Sequence, residues 1–359
     1  MDNLWRGLER RHPGLATIGI QDWVEAGDKV DEEGRRFLHL NFPAPSGPGV
    51  RRFLRYLPTL VRQTPGILRA LRKKEVGLVN FHFPTMSVLP LAILKSLGLW
   101  RGRIVLTFHG SDALEIDPER PAWRFIATQV DAVTACSSAL AERVAALKLF
   151  RSTPSVIYNG IDIPRFLSRI VEEELTVPTP YVLNVGTYVS HKGQDLLLDA
   201  FARIARSFPS INLVCVGGTN DGVWLAHLKE LVARLGLRDR VCFLENQPQK
   251  RIATLMKHAE CLAHSSHREG LPIVLIEAGA CSLPLVSTRV GGIPEIIETA
   301  EQGLLVDAGN AEALASAMAA VLACPAEAKA RAGNLRRRIG EHFSAESMTA
   351  GYLSAYLNA

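Results

Sequence analysis

HSSHREGLPIVLIEAGACSLPLVSTRVGGIPEII, residues 264–297, runs from the end of one apolar strand through a loop and a helix into a second strand and a Gly-Gly turn. The first strand, CLAHSS, ends near Ser265; Arg268, Glu269 and Gly270 form the loop; Pro272 suits the first turn of a helix reaching about Cys281. Strand, loop, helix and strand in this order are the βαβ unit of a parallel sheet buried on both faces. The first-turn N–H groups, at Ile273 and Val274, have no helical acceptor and suit a phosphate or another anion. Glu277 stands inside the apolar helix PIVLIEAGA, where a carboxylate is costly unless paired or facing a ligand. A neighbouring backbone group or a buried arginine would satisfy it as well. Glu269 taken alone reads as a solvated loop charge.

Outward from this segment the same rhythm continues. In NVGTYVSHKGQDLLLDAF, residues 184–201, a strand ends at Gly186, which allows close backbone approach, and Lys192-Gly193 precedes a helix. Leu196, Leu197, Ala200, Phe201, Ile204, Ala205 and Phe208 recur at helical spacing. The Lys192 ammonium can serve an anion near that helix start, although a loop lysine in isolation is surface charge. The pairs Gly217-Gly218 and Gly291-Gly292 read as turns at strand ends, where α/β folds bind ligands. In the first half, TFHGSD puts His109 and Asp112 just after a strand, as structural or functional residues, and Asn159 in YNGID marks a turn.

Candidate strands are 77–84, 103–111, 132–138 and 155–162, then 181–188, 211–218, 240–245, 261–266, 283–292 and 303–307. The fold class is α/β, with two Rossmann-like domains. The rhythm fails between Ile163 and Pro180, so the domains are placed at 1–165 and 166–342. The chain opens on the charged, helical NLWRGLERRHPG, and no strand is read before residue 77. The first strand of the first domain, with the Gly-rich turn such domains carry, is therefore read as absent.

Composition narrows the function. The 359 residues, 47% hydrophobic and 21% charged, suit a globular chain of about two domains. The longest apolar candidate for a span, Met86 to Trp100, is broken by Pro90 and Lys95. The opening residues lack the pattern of a signal peptide, and a cytoplasmic location is expected. The six cysteines, at 136, 215, 242, 261, 281 and 324, form no CxxC pair, so neither disulfides nor a metal site is expected. The whole surplus of +5 lies in the first half. RRFLRYLPTLVRQTPGILRALRKK, residues 51–74, has eight basic residues and no acidic one, interleaved with apolar side chains. It reads either as surface helices with solvated arginines or as a peripheral contact with an anionic membrane surface. No nucleic-acid motif accompanies the charge.

Taken together, Gly186 through Lys192-Gly193, the glutamates Glu269 and Glu277 with seven residues between them, VGGIPEII, GLLV, FHGSD, VTACSS and YNGID resemble the family 4 retaining glycosyltransferases. These pieces span most of residues 77–307, in the family's order. The resemblance implies the GT-B fold, two facing Rossmann-like domains with a cleft between them, and HFSAESMTAGYLSAYL resembles the closing helix, about 343–359, that crosses back to the first, acceptor-side domain. It implies that Glu277 holds the ribose hydroxyls of a nucleoside diphosphate sugar and Lys192 its diphosphate. Glu269 would contact the transferred sugar, the backbone N–H groups from Gly270 and Leu271 to Ile273 and Val274 the sugar and phosphates, and His109 the sugar from the opposite domain. Gly218 and Asn159 are secondary candidates.

No cofactor or metal is implied, since fixed cations and helix N–H groups stabilise the departing diphosphate. In this family the acceptor is taken to arrive on the face the diphosphate leaves, so Glu269 is not assigned as a nucleophile. The implied acceptor is a glycan or a lipid-linked molecule, in polysaccharide or envelope assembly. One departure stands out: Thr187 occupies the place of a common arginine, whose charge Arg268 could replace. The alternatives are a non-catalytic nucleotide-binding or scaffold protein of this fold and a sugar-nucleotide epimerase. A Rossmann oxidoreductase is disfavoured, because GxGxxG after an early strand is missing.

Overall fold

The computed structural model describes residues 2–11, 19–21, 27–30, 36–39, 50–171, 176–219 and 222–358, with side chains at 3–11, 55–171, 176–219 and 222–358. The chain divides into two compact units, Met1–Ile157 with Thr349–Ala359, and Tyr158–Met348. The acidic run at 172–174, within the segment read as a boundary, lies outside the described residues.

The first unit opens on the helix Asp2–Arg11, as its charged periodicity predicts. Three short strands follow, β1 (Gly19–Gln21), β2 (Gly27–Val30) and β3 (Arg36–His39), which the sequence reading did not find. They form their own sheet in the order β1-β3-β2, with β1 parallel and β2 antiparallel to β3. Runs of three or four residues that include Asp28, Lys29 and Arg36 carry too little apolar alternation to register as strands. The parallel sheet of this unit begins later, with β4 (Leu78–His82), β5 (Arg103–Phe108), β6 (Ala132–Ala135) and β7 (Ser155–Val156), in sequential order.

Along the chain, the described residues that separate the two sheets include the helix Val50–Lys73, with Pro58 and Pro65 inside it. Tyr56, Leu60, Ile67 and Leu71 are buried along one stripe, while Arg55, Arg62, Arg69, Arg72 and Lys73 are exposed. The apolar stripe of the basic segment therefore serves this unit's own core. The last helix, Ala345–Asn358, contributes the buried Tyr352 to the same unit. It meets the opening helix at Gly7, where a Cβ would stand 1.9 Å from the Thr349 hydroxyl.

The second unit holds β8 (Tyr181–Val185), β9 (Asn212–Gly217), β10 (Val241–Glu245), β11 (Cys261–His264), β12 (Leu285–Thr288) and β13 (Leu304–Val306). All are parallel, in the order β10-β9-β8-β11-β12-β13. Consecutive residues such as Val182-Leu183, Leu213-Val214-Cys215 and Cys261-Leu262-Ala263 are fully buried, so helices cover both faces. On one face Val182, Leu213, Cys215, Ala263 and Val286 pack against Leu197 and Phe201, Leu228, and Leu314 and Met318 of three helices.

All ten expected strands are present, and most end earlier than expected because the residues at their carboxyl ends, such as His109-Gly110 and Ser265-Ser266, belong to the loops that follow. The six cysteines are unpaired; Cys136, Cys215 and Cys261 are buried as small hydrophobes, and Cys324 is exposed. Among the described residues no single helix is long and apolar enough to cross a membrane.

Candidate active site

The winding order of the second sheet creates the site. From the central β8 the chain goes outward to β9 and β10, then returns to place β11 on the other side of β8. The loops leaving the carboxyl ends of β8 and β11 consequently diverge and leave a crevice, the place where such sheets bind ligands. A cavity of about 480 Å³ occupies it, with Gly186, Thr187, Lys192, Gly218, Glu269 and Val274 in its wall. That volume suits a small-molecule ligand.

After β8, Tyr188 is buried and its hydroxyl donates to the carbonyls of Cys215 (2.8 Å) and Leu244 (3.0 Å), which ties the turn to the neighbouring strands. A short 3-10 turn, Ser190–Lys192, leads into Gly193, whose φ of 63° starts the helix Gln194–Ile204. A Cβ on Gly193 would stand 2.2 Å from the Ser265 carbonyl oxygen, so only glycine lets these two loops touch. Close by, the His267 N–H donates to the His191 carbonyl at 2.8 Å. The loop after β11 is held equally closely at its far end. Gly291 has φ 52° and lies under the Glu269 carbonyl, 1.9 Å from where a Cβ would be, while the Gly292 N–H donates to the Gly270 carbonyl at 2.7 Å. The turn reading of Gly291-Gly292 thus acquires a purpose, a backbone clasp on the Glu269 loop.

Glu269 is the most heavily bonded side chain of the site. Lys192 Nζ donates to its Oε1 and Oε2 at 2.8 and 3.0 Å. Ser266 Oγ donates to Oε1 at 2.6 Å, and His264 Nε2 lies 2.8 Å from the same oxygen. Burial would raise the Glu269 carboxyl, but the hydrogen bond and charge of His264 and the Lys192 ammonium outweigh it and hold it at about 2. It is a fixed anion. The solvated-loop reading fails for it, since its side chain is only 8% exposed. Lys192, the cation expected to seek an anion, already holds one and lines the cavity beside it.

The helix beyond the loop starts one residue later than the sequence suggests: Pro272 is its N-cap, at ψ 114°, and Ile273–Ala280 are helical. Pro272, Ile273 and Val274 line the cavity, which puts the first turn of this helix against it. Glu277, one turn further, is buried and outside the lining. Its Oε1 accepts from Gln249 Nε2 at 2.7 Å, and Gln249 Oε1 in turn accepts from Arg169. Burial pushes the Glu277 carboxyl up to about 7, against the pull of Gln249 and the Arg169 charge. Its partner is thus a glutamine on another helix, neither a backbone group nor an arginine directly.

Gly270 and Leu271 are buried backbone supports; the Leu271 carbonyl accepts from Asn159 Nδ2 at 3.1 Å. Arg268, the residue expected to make up for Thr187, is exposed and is not among the residues of the cavity wall. Instead Gln194, fully buried, holds the Thr187 carbonyl through Nε2 at 2.9 Å and accepts from Trp224 Nε1 at 3.2 Å. The sequence reading passed over Gln194, His264, Ser266 and Asn246, the last also in the wall. Two of these carried a signal. His264 is a polar residue closing a buried strand, and Asn246, with φ 50° after β10, is the residue type that tolerates that conformation.

In the first unit the expected pair is tightly built. The Asp112 carboxylate accepts the backbone N–H of His109 (3.0 and 3.1 Å) and of Gly110 (2.6 Å), capping the turn after β5. Burial raises its carboxyl and those N–H groups counter it. Asp112 thus shapes the loop, and His109 is what the loop presents. Burial pushes the His109 imidazole down to about 4.

Residues 170–342 match the family model for glycosyl transferases group 1, and residues 24–165 match that for glycosyltransferase family 4. The chain belongs to the family 4 glycosyltransferases. It is 29% identical over 346 residues to the GDP-mannose-dependent alpha-(1-6)-phosphatidylinositol monomannoside mannosyltransferase of Mycolicibacterium smegmatis, covering 87% of each chain. It is 27% identical over 293 residues to the N-acetyl-alpha-D-glucosaminyl L-malate synthase of Bacillus anthracis, covering 79% of this chain and 75% of that one. HepE of Anabaena, crystallised with UDP, shares the fold at a TM-score of 0.71 and 22% identity, over 83% and 82% of the two chains. As a family 4 glycosyltransferase, this chain has the two α/β units of the GT-B class.

Proposed function

We propose that this glycosyltransferase moves a sugar from a nucleoside diphosphate sugar to a glycan or lipid-linked acceptor, with retention at the anomeric carbon and without a metal or bound cofactor. The observation that carries the reading is the crevice beyond β8 and β11. There Lys192 and the first turn of the helix Ile273–Ala280 meet one cavity with Glu269 fixed as an anion between them. A diphosphate gaining charge as it leaves is stabilised by a cation and helix N–H groups already in place. A carboxylate held at about 2 stays charged and suits hydrogen bonding to sugar hydroxyls. In this reading Glu277 reaches the ribose by exchanging its bond to Gln249 for one to the nucleotide. The relatives' names support a nucleotide-sugar donor and an acceptor in lipid or envelope chemistry. The exposed arginines of the helix Val50–Lys73 support a peripheral position on the cytoplasmic face of a membrane.

The test is turnover of UDP-, GDP- and ADP-sugars by the purified chain, with and without membrane lipid or glycan acceptors, with and without a chelator, beside Glu269→Ala. Release of one nucleoside diphosphate, lost in the variant and insensitive to the chelator, is expected. Its product should keep the donor's anomeric configuration by NMR. Absence of turnover with every donor and acceptor overturns the proposal, and an inverted product overturns retention.

A further inference from the structure

His82 and His109 lie at the carboxyl ends of the paired strands β4 and β5, with His82 Nδ1 2.9 Å from His109 Nε2 and their rings stacked at 5.1 Å. Phe83, with φ 55° and more than half exposed, stacks on His109 at 4.4 Å. Burial pushes both imidazoles down, His109 to about 4 and His82 well below its ordinary value. Near neutral pH each ring therefore carries one proton, and one hydrogen joins the two.

The direction of that hydrogen follows from what stands behind His82. Asn80 Nδ2 is 2.8 Å from the Tyr356 hydroxyl and 3.2 Å from His82 Nε2, and its Oδ1 accepts from Thr107 Oγ1 at 2.8 Å. The Thr107 hydroxyl also lies 2.8 Å from that of Thr134, and both threonines bond the buried Tyr352 hydroxyl. Thr107 donates to Asn80 Oδ1 and takes its own hydrogen bonds from the cluster with Thr134 and Tyr352, while the Asn80 amide nitrogen donates to the Tyr356 hydroxyl. The Asn80 amide nitrogen then faces His82, whose Nε2 must accept. His82 accordingly carries its proton on Nδ1, gives it to His109 Nε2, and leaves the His109 proton on Nδ1.

We propose that His82 is a positioning residue that fixes His109 as its Nδ1–H tautomer, so that His109 offers its ligand a neutral N–H donor. An imidazole free in water prefers the other tautomer, so this state is imposed by the relay from Tyr352 through Asn80. A donor of this kind holds a hydroxyl or phosphate oxygen and does not abstract a proton. The consequence for transfer rests on the reading above; the tautomer itself does not.

Long-range proton–nitrogen correlation on the 15N-labelled full chain reads the tautomer directly, with the His109 signals assigned by their loss in His109→Gln. The wild type should show His109 protonated at Nδ1 only. His82→Leu should move the proton to Nε2, and His82→Asn, whose amide nitrogen stands where Nδ1 did, should restore the wild-type pattern. A wild-type His109 protonated at Nε2, or averaging between the two, overturns the proposal even if the variants fail to fold. So does an unchanged tautomer in a folded His82→Leu, or a His82→Asn that behaves like His82→Leu. Absence of sugar transfer alongside the expected tautomer would count against the proposed function alone.

Discussion

The Lys192 ammonium bridges both carboxylate oxygens of Glu269, 77 residues away, at 2.8 and 3.0 Å, and so joins the turn after β8 to the loop after β11. The bridge places a cation and a fixed anion side by side in the wall of one cavity. A bound diphosphate would compete with Glu269 for the same ammonium.

Lys192→Ala should therefore lower turnover by roughly 10²–10³, the usual loss when one preorganised donor to a developing anion is removed. Glu269 keeps His264 and Ser266, so its loop should hold its place. Calorimetry should show diphosphate affinity falling more than nucleoside affinity; equal losses would place Lys192 outside diphosphate binding.

The Glu277 carboxyl is raised from 4.5 to about 7 in the fold. Between those values the folded chain binds the proton that the unfolded chain has released, so this group's contribution to stability is full at acid pH and declines as pH rises to about 7. The full span is on the order of 3 kcal/mol. Because His82 and His109 titrate with the opposite sign in part of that range, the difference between chains is the clean quantity. Urea denaturation of Glu277→Gln against wild type should show the variant gaining relative stability from about pH 4.5 to about 7 and levelling above. A flat difference would mean that Glu277 titrates normally.

Glycines at the site should separate by the space around them. Gly291→Ala meets both a left-handed backbone and the Glu269 carbonyl at 1.9 Å, and should displace that loop, lowering Tm and abolishing nucleotide binding together. A Cβ on Gly186 meets nothing nearer than the Lys192 side chain at 3.9 Å. Gly186→Ala should melt like the wild type and lose only ligand affinity; a large drop in its Tm would contradict the geometry.

Because Tyr56, Leu60, Ile67 and Leu71 face the unit's own core, the described part of the helix Val50–Lys73 offers a membrane chiefly its exposed arginines, with Val61 as the exposed large apolar side chain among them. Cosedimentation with anionic vesicles should be abolished by salt, and Arg62→Ala with Arg69→Ala should weaken it by about 1 kcal/mol each. Binding that persists at high salt would require an inserted apolar face instead.

What the sequence made legible follows from the range of each interaction. The ten strands and the helix after β8 show as periodicity within a window of a few residues, and the site loops as glycines and polar residues at strand ends. The partners of those residues lie far along the chain. That Gln249 holds Glu277, or that Lys192 bridges Glu269, depends on strand order and on which side chains converge at a sheet edge. Asn80, His82 and His109 meet only because β4 and β5 pair in one register, His82 opposite Thr107. The strands β1 to β3 escaped for the opposite reason, being too short and too charged for any window to respond.

The two glycine contacts on the Glu269 loop bear on how quickly a ligand can be captured. With Gly193 against Ser265 at one end and Gly291 against Glu269 at the other, the backbone there is ordered when the chain folds. An arriving nucleotide then has no slow rearrangement of this loop to wait for, and its association rate should track solvent viscosity and ionic strength.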